Sequence, residues 1–235
     1  MAAGERKDDP FVPALRFHRL TPLFDFVAAV TVRDRAIKRR VLERAAIAPG
    51  DDVLDVGCGT GTLAVAAAGA ARRVTVTGLD ADASILERAR ARASDAGLEI
   101  RFDEGSATTL PYAEASFDVV LCTLMLHHLA DDAKHEAARE LARVLRPGGR
   151  VVVADPGRPQ DPLMRVAVLV TVQLLDGFAN TALNVRGELP DLLRRAGLRE
   201  LPPRDRLRTP TGTYDVLTLT ADVESRNPDD DRSRM

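Results

Sequence analysis

An α/β fold with a mostly parallel sheet flanked by helices is predicted by three observations. Short apolar strands alternate with helical segments along most of the chain. A glycine-rich turn joins the first strand to the helix after it, and an acidic residue closes the second strand about 20 residues farther on.

Taken in order, Ala36, Ile37, Val41, Leu42 and Ala45 recur at helical spacing within 33–46, and Pro49-Gly50 stops that helix. Val53 to Val56 is a short apolar run that enters Gly57, and Thr62 to Ala70 is rich in Ala and Leu, which gives strand, tight turn and helix. Val74 to Leu79 supplies the next strand, and Ser84 to Ala96 a helix closed by Gly97 at the position glycine prefers. Leu98 to Phe102, Phe117 to Cys122 and Arg150 to Ala154 read as further strands. Asp131 to Leu145 forms a helix before Pro147-Gly148-Gly149. Beyond Asp155 the rhythm changes. Pro156, Gly157, Pro159 and Pro162 make a loop before an apolar helix at Leu163 to Leu175, read as a lid-like insertion over about 156–182. A helix at Glu188 to Ala196, a strand beginning at Leu198 to Leu201 and a strand at Tyr214 to Thr220 complete the core. This divides the chain into an N-terminal helical segment capping the site (1–48), a main domain (49–221) and a flexible tail (222–235), whose Asp229 to Asp231 face solvent.

A length of 235 residues suits one such domain. The composition, 45% hydrophobic and 29% charged, is that of a soluble globular protein, and a formal net charge of -2 gives no electrostatic reason to expect nucleic acid. A small-molecule partner is favoured. Cys58 and Cys122 form no metal-ligand spacing, so no metal is predicted, and they read as reduced thiols of a cytoplasmic protein. Residues 1–10 lack an apolar signal core. The 163–175 stripe contains Arg165 and Gln173 and is shorter than a bilayer span, so no integral membrane contact is predicted; core or homodimer packing suits it, with a substrate pocket as the other reading.

The stretch Val53-Leu-Asp-Val-Gly-Cys-Gly-Thr-Gly61 places glycines at alternate positions where strand hands over to helix, and backbone can approach a ligand there. The dinucleotide pattern G-x-G-x-x-G is spaced differently, and Thr62 stands where its third glycine would be. Asp55 just before the loop would repel a pyrophosphate and attract a cation. Both points count against a nicotinamide-dependent oxidoreductase. Asp80, at the end of the second strand, can accept hydrogen bonds from ribose hydroxyls.

Five segments in order resemble class I S-adenosylmethionine-dependent methyltransferases, in particular the branch of quinone-biosynthesis and other small-molecule enzymes. They are Val53 to Gly61, Gly78-Leu-Asp-Ala-Asp82, Gly105-Ser-Ala-Thr-Thr-Leu-Pro-Tyr112, Phe117 to Leu129 and Arg146-Pro-Gly-Gly-Arg150. The resemblance implies a Rossmann-like fold with a seven-stranded sheet, S-adenosyl-L-methionine as methyl donor and S-adenosyl-L-homocysteine as product. It assigns Asp55, Gly57, Cys58, Gly59, Gly61, Asp80, Ala81, Ser106, Ala107 and Thr123 to the cofactor. Two positions depart from the family. Ser106 stands where many relatives carry Asp beside the adenine, although a hydroxyl can also accept its amino proton. Phe24 stands where relatives often carry Tyr.

Methyl transfer from a sulfonium needs positioning more than a nucleophile on the protein. A base helps when the acceptor is a phenol, hydroxyl or acidic carbon. His127 and His128, just after the fourth strand, are the catalytic candidates, with helix capping or packing as their alternative role. The expected function is methylation of a small, hydrophobic acceptor such as a quinone, polyketide, terpenoid or lipid precursor. The alternative is a cofactor-binding protein of the same fold that acts as a non-methylating partner or catalyses another reaction.

Overall fold

The structure, a computed structural model, describes residues 34–173, 177–209 and 212–221. Phe24, most of the expected N-terminal cap and the expected flexible tail lie outside them. The elements are α1 (Asp34–Ala45), β1 (Asp52–Val56), α2 (Thr62–Ala68), β2 (Thr75–Asp80), α3 (Ala83–Asp95), β3 (Arg101–Glu104) and β4 (Phe117–Thr123). A 3-10 turn (Leu126–His128) leads to α4 (Asp131–Val144), β5 (Leu145–Pro156) and α5 (Pro162–Val168). A π-helical turn (Leu169–Gln173), α6 (Phe178–Arg186), α7 (Leu189–Arg195), β6 (Leu198–Thr209) and β7 (Gly212–Ala221) follow.

Seven strands form one sheet in the order β3-β2-β1-β4-β5-β7-β6. Neighbouring strands from β3 across to β5 are parallel, and β7 runs antiparallel to both β5 and β6. The inner strands are apolar toward both faces because helices cover both. Ile37 and Val41 of α1, Leu63 of α2 and Leu86 of α3 pack on one face with Val53, Val119 and Val152. Leu141 of α4, Leu183 of α6 and Leu192 of α7 pack on the other with Leu54, Val120 and Val151. Burying each of these side chains contributes about 1.5–3 kcal/mol. The strand order reverses between β1 and β4, so the connections leaving their C-terminal ends diverge and open a crevice above the sheet.

Several boundaries differ from the sequence reading. β3 starts at Arg101 rather than Leu98. The expected Leu163–Leu175 helix begins at an Asp161 cap, whose side chain accepts from the Met164 N–H, and changes to a π-helical turn at Leu169. Met164, Val168 and Val172 face inward, while Leu163, Val166 and Leu169 are exposed, which is why the stripe looked apolar all round. The helix α6 was not predicted, and β6 runs to Thr209, well past Leu201. No helix among the described residues is long and apolar enough to cross a membrane.

Candidate functional site

The glycine loop leaves β1 at the crevice. Gly57 and Cys58 both donate their N–H to the Leu79 carbonyl, at 2.8 and 3.0 Å, which ties the loop to the end of β2. All three loop glycines have positive φ, but their surroundings differ. A Cβ on Gly57 would lie 2.4 Å from Met125 Cγ, and one on Gly61 would lie 2.9 Å from Ala89 Cβ. These two glycines serve close packing. A Cβ on Gly59 would meet nothing within 4 Å, so Gly59 borders open space.

Asp55 and Thr123 lie at the C-terminal ends of β1 and β4, the two strands that flank the crevice. Asp55 is buried; its carboxyl takes a hydrogen bond from the Ala64 N–H, and burial pushes it up to about 7, against the opposing charge of Lys38. Among the described residues Asp55 Oδ2 and Thr123 Oγ1 are buried without a hydrogen-bond partner. β1 and β4 are parallel neighbours with Asp55 opposite Leu121, so Thr123 is the next residue of β4 on the same face. Leaving such atoms unpaired costs about 1–3 kcal/mol each, which marks a place prepared for polar or charged groups.

Asp80 accepts the Gly59 N–H at 2.8 Å and the Asp82 N–H at 3.1 Å, so one carboxylate latches the loop against the end of β2. Burial raises its pKa and these backbone bonds oppose that shift. The Ala81 N–H also bonds this carboxylate, and since a carboxylate has about four acceptor positions, about one remains beyond these three. Ala81 follows Asp80, and Asp82 caps α3 by accepting from Ser84 and Ile85 N–H groups. The Gly105 N–H donates to the Asp80 carbonyl, which brings Ser106 and Ala107 alongside. The Ser106 hydroxyl accepts the Thr108 N–H and lies 2.7 Å from Thr108 Oγ1, while Ala107 packs on the core. Cys58 is buried and burial pushes its thiol up, so it contributes backbone rather than chemistry.

On the β4–β5 side, Leu124 takes φ 55, a strained left-handed conformation that turns the chain into the 3-10 segment. His127 is buried there, with Nδ1 2.7 Å from Asp155 Oδ1 at the end of β5. The Asn184 amide of α6 donates to the other Asp155 oxygen at 2.8 Å. With the Asp155 carboxylate as acceptor, His127 Nδ1 is the donor of this bond. The His128 ring lies 4.0 Å from that of His127, and burial, with the charges of His127 and Lys134, holds His128 well below its ordinary pKa. Lys134 is fully buried and donates to the Leu129 and Asn180 carbonyls, while Asn180 Nδ2 donates to the His128 carbonyl. α6 is therefore fastened to the histidine segment at two points.

Comparison with known proteins bears on the family and the fold. A family described as a methyltransferase domain matches residues 53–149. The chain is 36% identical over 201 residues, 79% of its length and 68% of the relative's, to the methyltransferase GfsG of Streptomyces halstedii. The chain belongs to the class I S-adenosylmethionine-dependent methyltransferases. It is also 35% identical to a demethylmenaquinone methyltransferase of Deinococcus radiodurans over 65% of this chain and 63% of that protein. The crystal structure of the YcgJ protein from Bacillus subtilis superposes with a TM-score of 0.62 at 27% identity, covering 74% of this chain and 73% of that one.

In this methyltransferase the predicted residues fall into two groups. Asp55, the loop glycines, Cys58, Asp80, Ala81, Ser106, Ala107 and Thr123 gather around the ends of β1, β2 and β4. His127 and His128 stand at the β4–β5 edge. Sequence reasoning missed Asp155 and Asn184, the partners of His127, and Lys134 beneath the segment. A carboxylate at the end of a strand next to the histidine strand was the available signal for Asp155. Asn184 carried none.

Proposed function

We propose that this methyltransferase holds S-adenosylmethionine over the glycine loop, between Asp55, Asp80 and Thr123, and methylates a small, hydrophobic acceptor admitted beside His127. The observations that carry this reading are the open space beside Gly59 and the unpartnered Asp55 carboxylate oxygen and Thr123 hydroxyl at the ends of the neighbouring strands β1 and β4. Such a cradle fits a ligand with a cationic amino-acid end. When bound, the cofactor supplies an electrophilic methyl group on a sulfonium that leaves readily. The protein supplies the rest: Asp55 accepts from the ammonium, the remaining acceptor position of Asp80 receives a ribose hydroxyl, and the turn at Ser106 borders the adenine. His127, oriented by Asp155, takes the acceptor proton at Nε2. The apolar face of the α5 region and the similarity to a demethylmenaquinone methyltransferase support a hydrophobic acceptor.

Gly59→Ala tests the reading. The new Cβ meets no protein atom, so the fold should lose only about 1–2 kcal/mol from the left-handed conformation. Calorimetric affinity for S-adenosylhomocysteine should nevertheless fall at least about 30-fold, because the methyl would occupy the cofactor's volume. Unimpaired binding by a folded variant would contradict the proposal. Asp80→Ala should weaken the same ligand by at least about 1 kcal/mol, on the scale of a lost charge-assisted hydrogen bond. A folded Asp80→Ala protein with parental affinity would remove Asp80 from the ribose site.

A further inference from the structure

α1 buries Ile37, Val41 and Ala45 against the sheet, and this fixes the direction of the next residue, Lys38. The Lys38 ammonium is held from two sides. It pairs with Asp34 one turn earlier at 2.7 Å and donates to Thr62 Oγ1, on the residue that follows the glycine loop. Its charge reaches Asp55, where it favours the ionised carboxyl. Yet among the described residues no ion pair within 4 Å joins Lys38 to Asp55, although both belong to the same side of the sheet. An acid with an unpartnered oxygen and a cation therefore flank one end of the crevice without neutralising each other.

An amino-acid head group has the complementary form, an ammonium and a carboxylate on one carbon. The acid alone recognises only half of it. An isolated carboxylate of a ligand entering beside Asp34, Asp55 and Asp80 would be repelled unless a cation met it there. We propose that Lys38 recognises the methionine carboxylate of the cofactor while Asp55 takes the ammonium, so that the pair reads the amino-acid head as a zwitterion. This rests on the cofactor position given above. Asp34 acts as a positioning residue that keeps the lysine ammonium at the loop, and Thr62 gives it a second anchor. Lys38 would then favour S-adenosylmethionine over nucleosides that share its adenosine but lack the amino acid.

The test is calorimetry at pH 8 with three ligands on the parent and on Lys38→Ala and Lys38→Arg. The ligands are S-adenosylhomocysteine, its decarboxylated analogue and 5′-methylthioadenosine, which lacks the whole amino-acid head. Lys38→Ala should weaken S-adenosylhomocysteine about 30-fold and leave the other two within about twofold, while Lys38→Arg retains most of the affinity. The parent itself should bind the decarboxylated analogue at least about tenfold more weakly than S-adenosylhomocysteine, and this measurement needs no variant to fold. Equal weakening of all three ligands in Lys38→Ala would show that the lysine only shapes the loop. Equal affinity of the parent for both amino-acid-bearing ligands would likewise overturn the proposal. Failure of the parent to bind methylthioadenosine or S-adenosylhomocysteine would instead remove the cofactor reading beneath it.

Discussion

Affinity for S-adenosylhomocysteine is expected to rise about tenfold per pH unit between pH 5 and 7 and to level off near pH 8. The cause is Asp55, whose burial pushes its carboxyl to about 7, with Asp80 adding to the shift and Lys38 opposing it. A ligand ammonium binds the ionised carboxyl, so below about pH 7 binding must expel a proton, and each unit of acidification weakens it about tenfold. The ligand's own α-ammonium keeps its charge until about pH 8. The sign for stability is opposite. An acid whose folded pKa is raised keeps its proton to higher pH in the native state than in the unfolded chain. The ligand-free protein therefore loses stability as pH rises from about 4 to about 7, and bound cofactor restores it. Calorimetry near pH 6 in two buffers of different ionisation enthalpy should count about one proton released per ligand. Asp55→Asn should bind more weakly at pH 8 and abolish the slope. A flat profile in the parent, or a slope that survives in Asp55→Asn, would falsify the role given to Asp55.

The residues behind that prediction were legible in the sequence because each spacing has a local physical meaning. Asp55 and the glycines are contiguous with a strand end, and Asp80 closes the next strand, so one βαβ unit brings them together. What each glycine does was not legible. Gly57 is fixed by Met125 and Gly61 by Ala89, contacts that exist only after folding, and they separate both from Gly59. β6 was cut short because Pro202 and Pro203 argue against a strand interior. It lies at the sheet edge, where prolines are tolerated and the alternating charges of Arg204, Arg206 and Arg208 face outward. The apolar residues of α6 do not mark its buried side, because Thr181 and Asn184 turn inward with Leu183 while Phe178 is exposed, and its place comes from polar fastenings through Asn180 and Asn184. Lys134 sits on the buried face of α4 between positions that read as core, and a lysine there gives a sequence no sign of its three hydrogen-bond partners.

Removing His127 should have the largest effect on turnover. His127→Ala is expected to slow methyl transfer by about 10²–10³-fold, the range for losing a general base. Affinity for S-adenosylhomocysteine should stay within about threefold, since the histidine stands at the β4–β5 edge and the cofactor cradle lies around β1 and β2. The rate can be followed before the acceptor is known, as label passing from methyl-labelled cofactor into organic-soluble molecules of a cell extract. Because His127 is buried, slower transfer alone could come from disturbed packing, and Asp155 separates the two causes. The Asp155 carboxylate, 2.7 Å away, fixes the orientation of the imidazole. Asp155→Asn removes that charge while keeping size, and an amide there can still face Asn184. Methyl transfer should then slow about tenfold or more, while affinity for S-adenosylhomocysteine stays close to that of the parent. A histidine that only packs would lose rate only in proportion to the stability lost. Transfer by His127→Ala at a rate within about threefold of the parent would take His127 out of the chemistry and leave positioning and desolvation to act alone.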